Sequence, residues 1–195
     1  FRLNYNNNSL PVRIDGAFGR AQAYAAAAAA CVGRGFGLNL ERIVEALAYY
    51  RAPSHRLKFL MGIKDTYLID DSYNASPLSM RAAIETVKDF SAKRRVAVLG
   101  DMLELGKFTI EAHEAIGYLI PRTFQLLVTV GARAKFIADA ARKKGMSEER
   151  IISFDTVDEA IVNIIGLLKS GDLVLIKASR GIGLDRLVEE VMYKP

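Results

Sequence analysis

From Thr66 onward the chain alternates between two hydrophobic rhythms. Unbroken apolar runs, "TYLID", "RRVAVLG", "QLLVTVG", "IISF" and "DLVLIKAS", are separated by segments whose apolar residues recur every three or four positions. The second kind includes Met80, Ile84 and Val87, then Ala115, Ile116 and Leu119, then Phe136, Ile137 and Ala140. It continues with Ile161, Ile164, Ile165 and Leu168, and closes with Leu184, Leu187, Val188 and Val191. Strands that read as continuous apolar runs are buried on both faces, which places them in a parallel sheet covered by helices. The pattern predicts an α/β fold: a three-layer, Rossmann-like, mostly parallel sheet. Right-handed crossovers then bring the carboxyl ends of its strands to one edge.

Residues 1–54 follow another pattern. "FRLNY" and "PVRID" flank the polar turn "NNNSL" and predict a hairpin. The Ala-rich helix "AYAAAAAACVG" comes next, ended by the Gly-rich "GRGFG". A helix over "NLERIVEALAYY" follows, capped by Asn39. This part offers little sheet for its helices to cover, so it reads as the tail of a second domain. The initial Phe suggests a chain that begins partway through a larger protein. "RAPSHRLKF" reads as a linker, with Pro53 and Ser54 at the break. The expected organisation is therefore 1–54 and 55–195.

Composition narrows the function classes. A chain of 195 residues, 51% hydrophobic and 25% charged, suits a soluble globular protein of one large or two small domains. No apolar run is long or pure enough to cross a bilayer, and the first residues lack the zones of a signal peptide, so no membrane partner is expected. Cys31 stands alone, which excludes an intrachain disulfide and points to a reducing cytoplasm. The net charge of +5 is dispersed in groups such as "AKRR" and "ARKK", with no basic stripe interleaved with aromatics, so nucleic acid is not an expected partner. His55 and His113 lack metal-ligand spacing, and these residues contain no G-x-x-x-x-G-K-[ST] phosphate loop.

Ligands of open α/β sheets bind beyond the carboxyl ends of the strands, and three polar clusters fall there. The first strand is followed by Asp70, Asp71, Ser72, Tyr73 and Asn74. The second runs into "GDMLELG", with Asp101 and Glu104, and the last into "KASRGIG", with Lys177, Ser179 and Arg180. Two adjacent carboxylates that face each other disturb each other's ionisation. Either one is solvated while the other caps a backbone turn, or a carboxylate there accepts hydrogen bonds from ribose hydroxyls. Ser76 and Pro77 form a good helix start, whose positive end would point toward Tyr73 and Asn74. Lys177, Ser179 and Arg180 suit the capture of a carboxylate.

The segments "GRAQAYAAAAA", "SHRLKF", "IDDSYNASPLSM", "VLGDMLELG" with "EAH" after it, and "GDLVLIKASR" carry a resemblance over nearly the whole chain. In that order they resemble the C-terminal part of the Mur ligases, specifically the MurF type that joins D-Ala-D-Ala to UDP-N-acetylmuramoyl-tripeptide. The resemblance implies a Mur ligase C-terminal, amine-substrate-binding domain at 55–195. Residues 1–54 would be the end of a P-loop ATPase central domain, with the UDP-sugar domain and the phosphate loop lying outside these residues. It further implies ATP-driven amide formation through an acyl phosphate, with ATP and Mg²⁺, in peptidoglycan precursor synthesis. The enzyme would be a monomer of the bacterial cytoplasm, and the fragment alone would be inactive. By match to the motifs, Arg56 would reach the ATP phosphates, and Asp71 with Asp70 would hold the ribose. Tyr73 and Asn74 would line the nucleotide site, with Gln22 and Tyr24 near the adenine. Lys177, Ser179, Arg180 and Asp101 would face the dipeptide. A sibling ligase with another amino acid substrate, or a non-catalytic nucleotide- or peptide-binding module, are the alternatives.

Overall fold

Side chains alternate across a strand, so an apolar run buries both sets only if a helix layer covers each face. The computed structural model, which describes residues 1–14, 19–51 and 53–194, meets this demand in the longer of two compact units, Phe1–Pro53 and Ser54–Pro195. The second unit contains, in order, β3 (Lys58–Met61), β4 (Tyr67–Asp71), α3 (Pro77–Lys88), β5 (Arg94–Gly100) and α4 (Thr109–Gly117). It continues with β6 (Leu126–Val130), α5 (Lys135–Lys143), β7 (Ile151–Phe154), α6 (Val157–Leu167), β8 (Asp172–Lys177) and α7 (Leu184–Val191). The six-stranded sheet has the order β3-β4-β8-β5-β6-β7. All its pairings are parallel except β3 with β4.

The alternation is visible in the core. Ile69, Ala97, Leu99, Leu127 and Leu175 point to one face and meet Met80, Ile84 and Val87 of α3, Ile116 of α4 and Ile137 of α5. Their neighbours Leu68, Val96, Val98, Val128, Val174 and Ile176 point to the other face. There they meet Ala160 and Ile164 of α6 and Leu184, Leu187, Val188 and Val191 of α7. Burying one such side chain stabilises by about 1.5–3 kcal/mol, and this sheet does so on both sides. Helix α3 starts where its chemistry predicts: Ser76 caps it, Ser79 returns the hydrogen bond and Pro77 opens the first turn.

Two details differ from the sequence reading. The end of the expected linker, Lys58 and Phe59, belongs to the edge strand β3, paired antiparallel to β4. It is short and only half-buried, so it leaves no apolar run for the sequence to show. In the first unit the hairpin is tighter than expected: β1 (Arg2–Tyr5) and β2 (Asn8–Pro11) are joined by Asn6 and Asn7 alone. Both take left-handed φ values, 44° and 63°, which suits a two-residue turn and which Asn tolerates better than most residues. The first unit is completed by α1 (Arg20–Gly35) and α2 (Leu40–Ala48), with Asn39 accepting from the Arg42 N–H as the cap of α2. Its small core comprises Val12, Ala26, Ala30, Ile43 and Leu47. Asp15 of the expected second strand and Ala52 of the expected linker lie outside the described residues.

His113, on α4, is fully buried and holds the segment after β5. Its Nε2 accepts the Met102 N–H at 2.9 Å, and its Nδ1 lies 2.6 Å from the Thr109 carbonyl, to which it donates. That arrangement fixes a neutral ring, and burial pushes its pKa below the ordinary 6.5. Below that value the unfolded chain takes up a proton that the folded chain refuses. The stability this histidine contributes is therefore full above the unfolded-state value and is lost as pH falls toward the lowered one. Thermal denaturation from about pH 7.5 to about pH 5.5 should show a falling melting temperature, and His113→Gln, which cannot titrate, should flatten that slope.

Candidate functional site

The strand order inserts β8 between β4 and β5. The polar segments that follow these strands, far apart in sequence, thereby become neighbours on one edge of the sheet. This is the edge beyond the strands' carboxyl ends, where the chain leaves the sheet and polar groups can gather around a ligand.

Asp70 and Asp71 are consecutive strand residues and so point to opposite faces. Asp70 Oδ2 lies 2.8 Å from His55 Nδ1, and its Oδ1 accepts from the Ser72 hydroxyl at 2.7 Å and the Ser72 N–H at 3.1 Å. Asp71 is registered opposite Lys177 on β8. Its Oδ2 lies 2.6 Å from Lys177 Nζ, and its Oδ1 accepts the Leu57 N–H at 3.1 Å. Lys177 also donates to the Asn74 carbonyl at 2.7 Å. Burial pushes Asp71 up and Lys177 down, and their mutual attraction opposes both shifts.

Leu57 belongs to a strained segment. His55 and Leu57 both have left-handed φ values, 60° and 48°, a conformation that is unusual for a bulky residue and costs of order 1–3 kcal/mol at each position. Three contacts over-determine it: the Asp70–His55 contact, the Asp71–Leu57 hydrogen bond, and the Tyr73 N–H donated to the His55 carbonyl at 3.1 Å. The buried Leu57 side chain adds a fourth anchor. Between these fixed residues Arg56 stays exposed, its guanidinium 4.6 Å from the centre of the Tyr73 ring. The Arg180 guanidinium lies 5.5 Å from the same ring. An aromatic face attracts a cation at such distances, so one half-exposed tyrosine touches the cations contributed by two remote segments.

The remaining polar groups are structural ties. Asp101 accepts the Ala134 N–H at 2.7 Å and meets Arg133 at 3.3 Å. Gly131, at φ 107°, leaves room for this carboxylate, since a Cβ there would lie 2.5 Å from Asp101 Oδ1. The Ser179 hydroxyl accepts the Leu103 N–H at 2.9 Å, and its backbone N–H donates to the Asp101 carbonyl. Tyr73, Asn74, Ser76, Leu103, Glu104 and Arg180 are among the residues lining an open cleft of about 420 Å³. Among the described residues no group of three or more His, Cys, Asp or Glu side chains could hold a metal ion, and no helix is long and apolar enough to cross a membrane.

A family model described as "Mur ligase, glutamate ligase domain" matches residues 55–180, more than half of the chain. The chain belongs to the Mur ligase family. Among curated relatives, it is 32% identical over 172 residues to a UDP-N-acetylmuramoyl-tripeptide–D-alanyl-D-alanine ligase of Bacillus subtilis, covering 87% of this chain and 37% of that protein. Among solved structures, MurF from Acinetobacter baumannii superposes with a TM-score of 0.83 at 29% identity, over 100% of this chain and 42% of that one. MurF from Thermotoga maritima in complex with ADP gives 0.77 at 26% identity, over 94% of this chain and 40% of that one. The chain thus spans well under half the length of the relatives it matches.

In this Mur ligase domain the edge of the sheet brings together Arg56, Asp70, Asp71, Tyr73, Asn74, Asp101, Lys177, Ser179 and Arg180. Gln22 and Tyr24 lie on α1 of the first unit, where the Gln22 side-chain carbonyl accepts from the Tyr50 hydroxyl at 3.3 Å and Tyr24 is exposed. Two expected substrate contacts are redirected by burial. Lys177 and Asp101 are only 1% and 2% exposed, and their charged groups are already engaged. Arg180, which could have been tied to Asp185 or Glu189 of α7, makes no ion pair among the described residues. Sequence reasoning passed over His55 and His113 because it looked only for metal-ligand spacing. A histidine just before an edge strand gave no further signal.

Removing one partner of a buried ion pair leaves an uncompensated charge and costs about 3–5 kcal/mol. Lys177→Met should therefore lower the urea-unfolding free energy by about that amount. Adding Asp71→Asn should restore part of it, because the amide carries no charge yet still accepts the Leu57 N–H. A Lys177→Met variant of unchanged stability would show that the pair is not needed for folding.

Proposed function

We propose that this chain is the amine-substrate end of an ATP-dependent amide-bond-forming ligase that adds D-Ala-D-Ala to UDP-N-acetylmuramoyl-tripeptide. The step belongs to peptidoglycan precursor synthesis, and the enzyme acts as a monomer in the bacterial cytoplasm. Residues 55–195 serve as the domain that presents the dipeptide, and residues 1–54 as the end of an ATP-binding domain. The observation that carries the reading is Arg180: a guanidinium with no carboxylate partner among the described residues, beside a cleft at the edge of the sheet beyond the strands' carboxyl ends. The names of the relatives and the ADP-bound structural neighbour support the same reading.

In this reading Arg56 binds phosphate oxygens, with Tyr73 and Asn74 beside the nucleotide. Asp71, the more accessible of the carboxylate pair at 13% side-chain exposure against 2% for Asp70, accepts from a ribose hydroxyl. Asp70 holds the Arg56 segment in place. Lys177 acts through Asp71, keeping that carboxylate charged and aimed. Gln22 and Tyr24 serve the adenine side. Arg180 takes the dipeptide carboxylate, with Ser179 fixing the segment that carries it. ATP supplies the phosphoryl group that activates the acceptor carboxylate, and these residues bind and orient the reactants. The described side chains do not fit a Mg²⁺ site, since the carboxylates at this edge other than Glu104 are occupied by cations or by N–H and O–H donors.

Kinetics of the complete ligase test this reading. A charge-assisted hydrogen bond contributes about 1.5–3 kcal/mol, or about ten- to a hundredfold in affinity. Arg180→Ala should raise KM for D-Ala-D-Ala at least about tenfold with little change for ATP. Arg56→Ala should impair ATP use while sparing the dipeptide. Reversal of that pattern would exchange the two assignments. The 195-residue chain alone, which holds no phosphate loop, should hydrolyse no ATP, and measurable turnover by the pure chain would overturn its place as one part of the ligase.

A further inference from the structure

The cleft beyond β4, β5 and β8 contains one charged residue of each sign, Glu104 and Arg180. The other carboxylates close to it are already engaged: Asp71 by Lys177, Asp70 by His55 and Ser72, Asp101 by Arg133 and the Ala134 N–H. Glu104 and Arg180 are not paired with each other, and Glu104 makes no side-chain hydrogen bond or ion pair among the described residues. Glu104 is also held at φ 64°, a left-handed conformation that few non-glycine residues adopt. Such strain persists where surrounding structure enforces it, and it gathers at ligand sites. Here Leu103, the residue before it, is tied by its N–H to the Ser179 hydroxyl, next to Arg180.

We propose that Glu104 receives the ammonium group of the incoming dipeptide while Arg180 holds its carboxylate, so that the cleft selects a zwitterion. The inference rests on the function proposed above and deepens it by naming the group that recognises the free amine. An extended dipeptide spans about 7 Å, and the cleft of about 420 Å³ is of the size that small ligands occupy. Ala75, Leu103 and Leu105 add apolar lining suited to methyl side chains. An anion without an amine satisfies Arg180 but leaves Glu104 facing like charge. A cleft of this kind therefore gains specificity from repulsion as well as from attraction.

The test compares D-Ala-D-Ala with its N-acetylated form, which keeps the carboxylate and loses the cation. In the complete wild-type ligase, N-acetyl-D-Ala-D-Ala should compete only weakly with the dipeptide. Glu104→Gln should raise KM for D-Ala-D-Ala about tenfold, leave KM for ATP and the melting temperature unchanged, and abolish the preference for the free amine. Glu104→Asp, which keeps the charge, should recover part of the lost affinity. A Glu104→Gln enzyme with unaltered dipeptide KM and unaltered discrimination overturns the inference. If Arg180→Ala nevertheless raises that KM, only the role of Glu104 falls. If both variants are silent, the assignment of the cleft to the dipeptide falls with it.

Discussion

The candidate site is organised around one buried ion pair, Asp71 with Lys177, formed across neighbouring parallel strands. Two charges taken out of water are costly unless their remaining hydrogen-bonding capacity is met. Meeting it recruits the surroundings. Asp71 draws in the Leu57 N–H and so fixes the segment that carries Arg56, while Lys177 draws in the Asn74 carbonyl and so fixes the turn that leads to α3. The pair thereby connects two strands, a strained loop and a helix start, and it leaves the exposed residues around it with defined positions.

Tyr73 is where those positions converge. Its backbone N–H ties it to the loop through the His55 carbonyl, and its ring touches both Arg56 and Arg180. Two guanidiniums repel, and an aromatic ring with an electron-rich face lets both approach without a carboxylate between them. Among the described residues neither guanidinium is paired with a carboxylate, which in the same place would neutralise it. The buried carboxylates do the opposite work. Asp70 and Asp101 are saturated by local donors and shape the backbone around the cleft.

Adjacent Asp70 and Asp71 looked, as a sequence, like two charges forced together. In the folded strand they face opposite sides of the sheet, so each finds its own partner, and Asp70 is the weakest of the influences on Asp71. The same alternation that divides the apolar residues of this sheet between two helix layers also separates the two carboxylates. A rule of packing here decides a question of electrostatics.

The sequence alone determined the layers, because apolar runs and three-to-four-residue spacing record local burial directly. Runs such as "RRVAVLG" and "IISF" became β5 and β7 with unchanged limits. It also determined the start of α3, since the chemistry of Ser76 and Pro77 acts over one turn. The edge strand β3 escaped because a short, half-buried strand has no apolar signature. Which clusters would meet was decided only by the tertiary structure: placing β8 between β4 and β5 is a matter of sheet order, which local periodicity does not encode. The same holds for the division of labour at the site. Lys177 and Arg180 are three positions apart in the sequence and both are cations. One is sealed against Asp71 and the other is left open at the cleft, because a strand side chain takes its surroundings from the neighbouring strand and a loop side chain takes them from solvent.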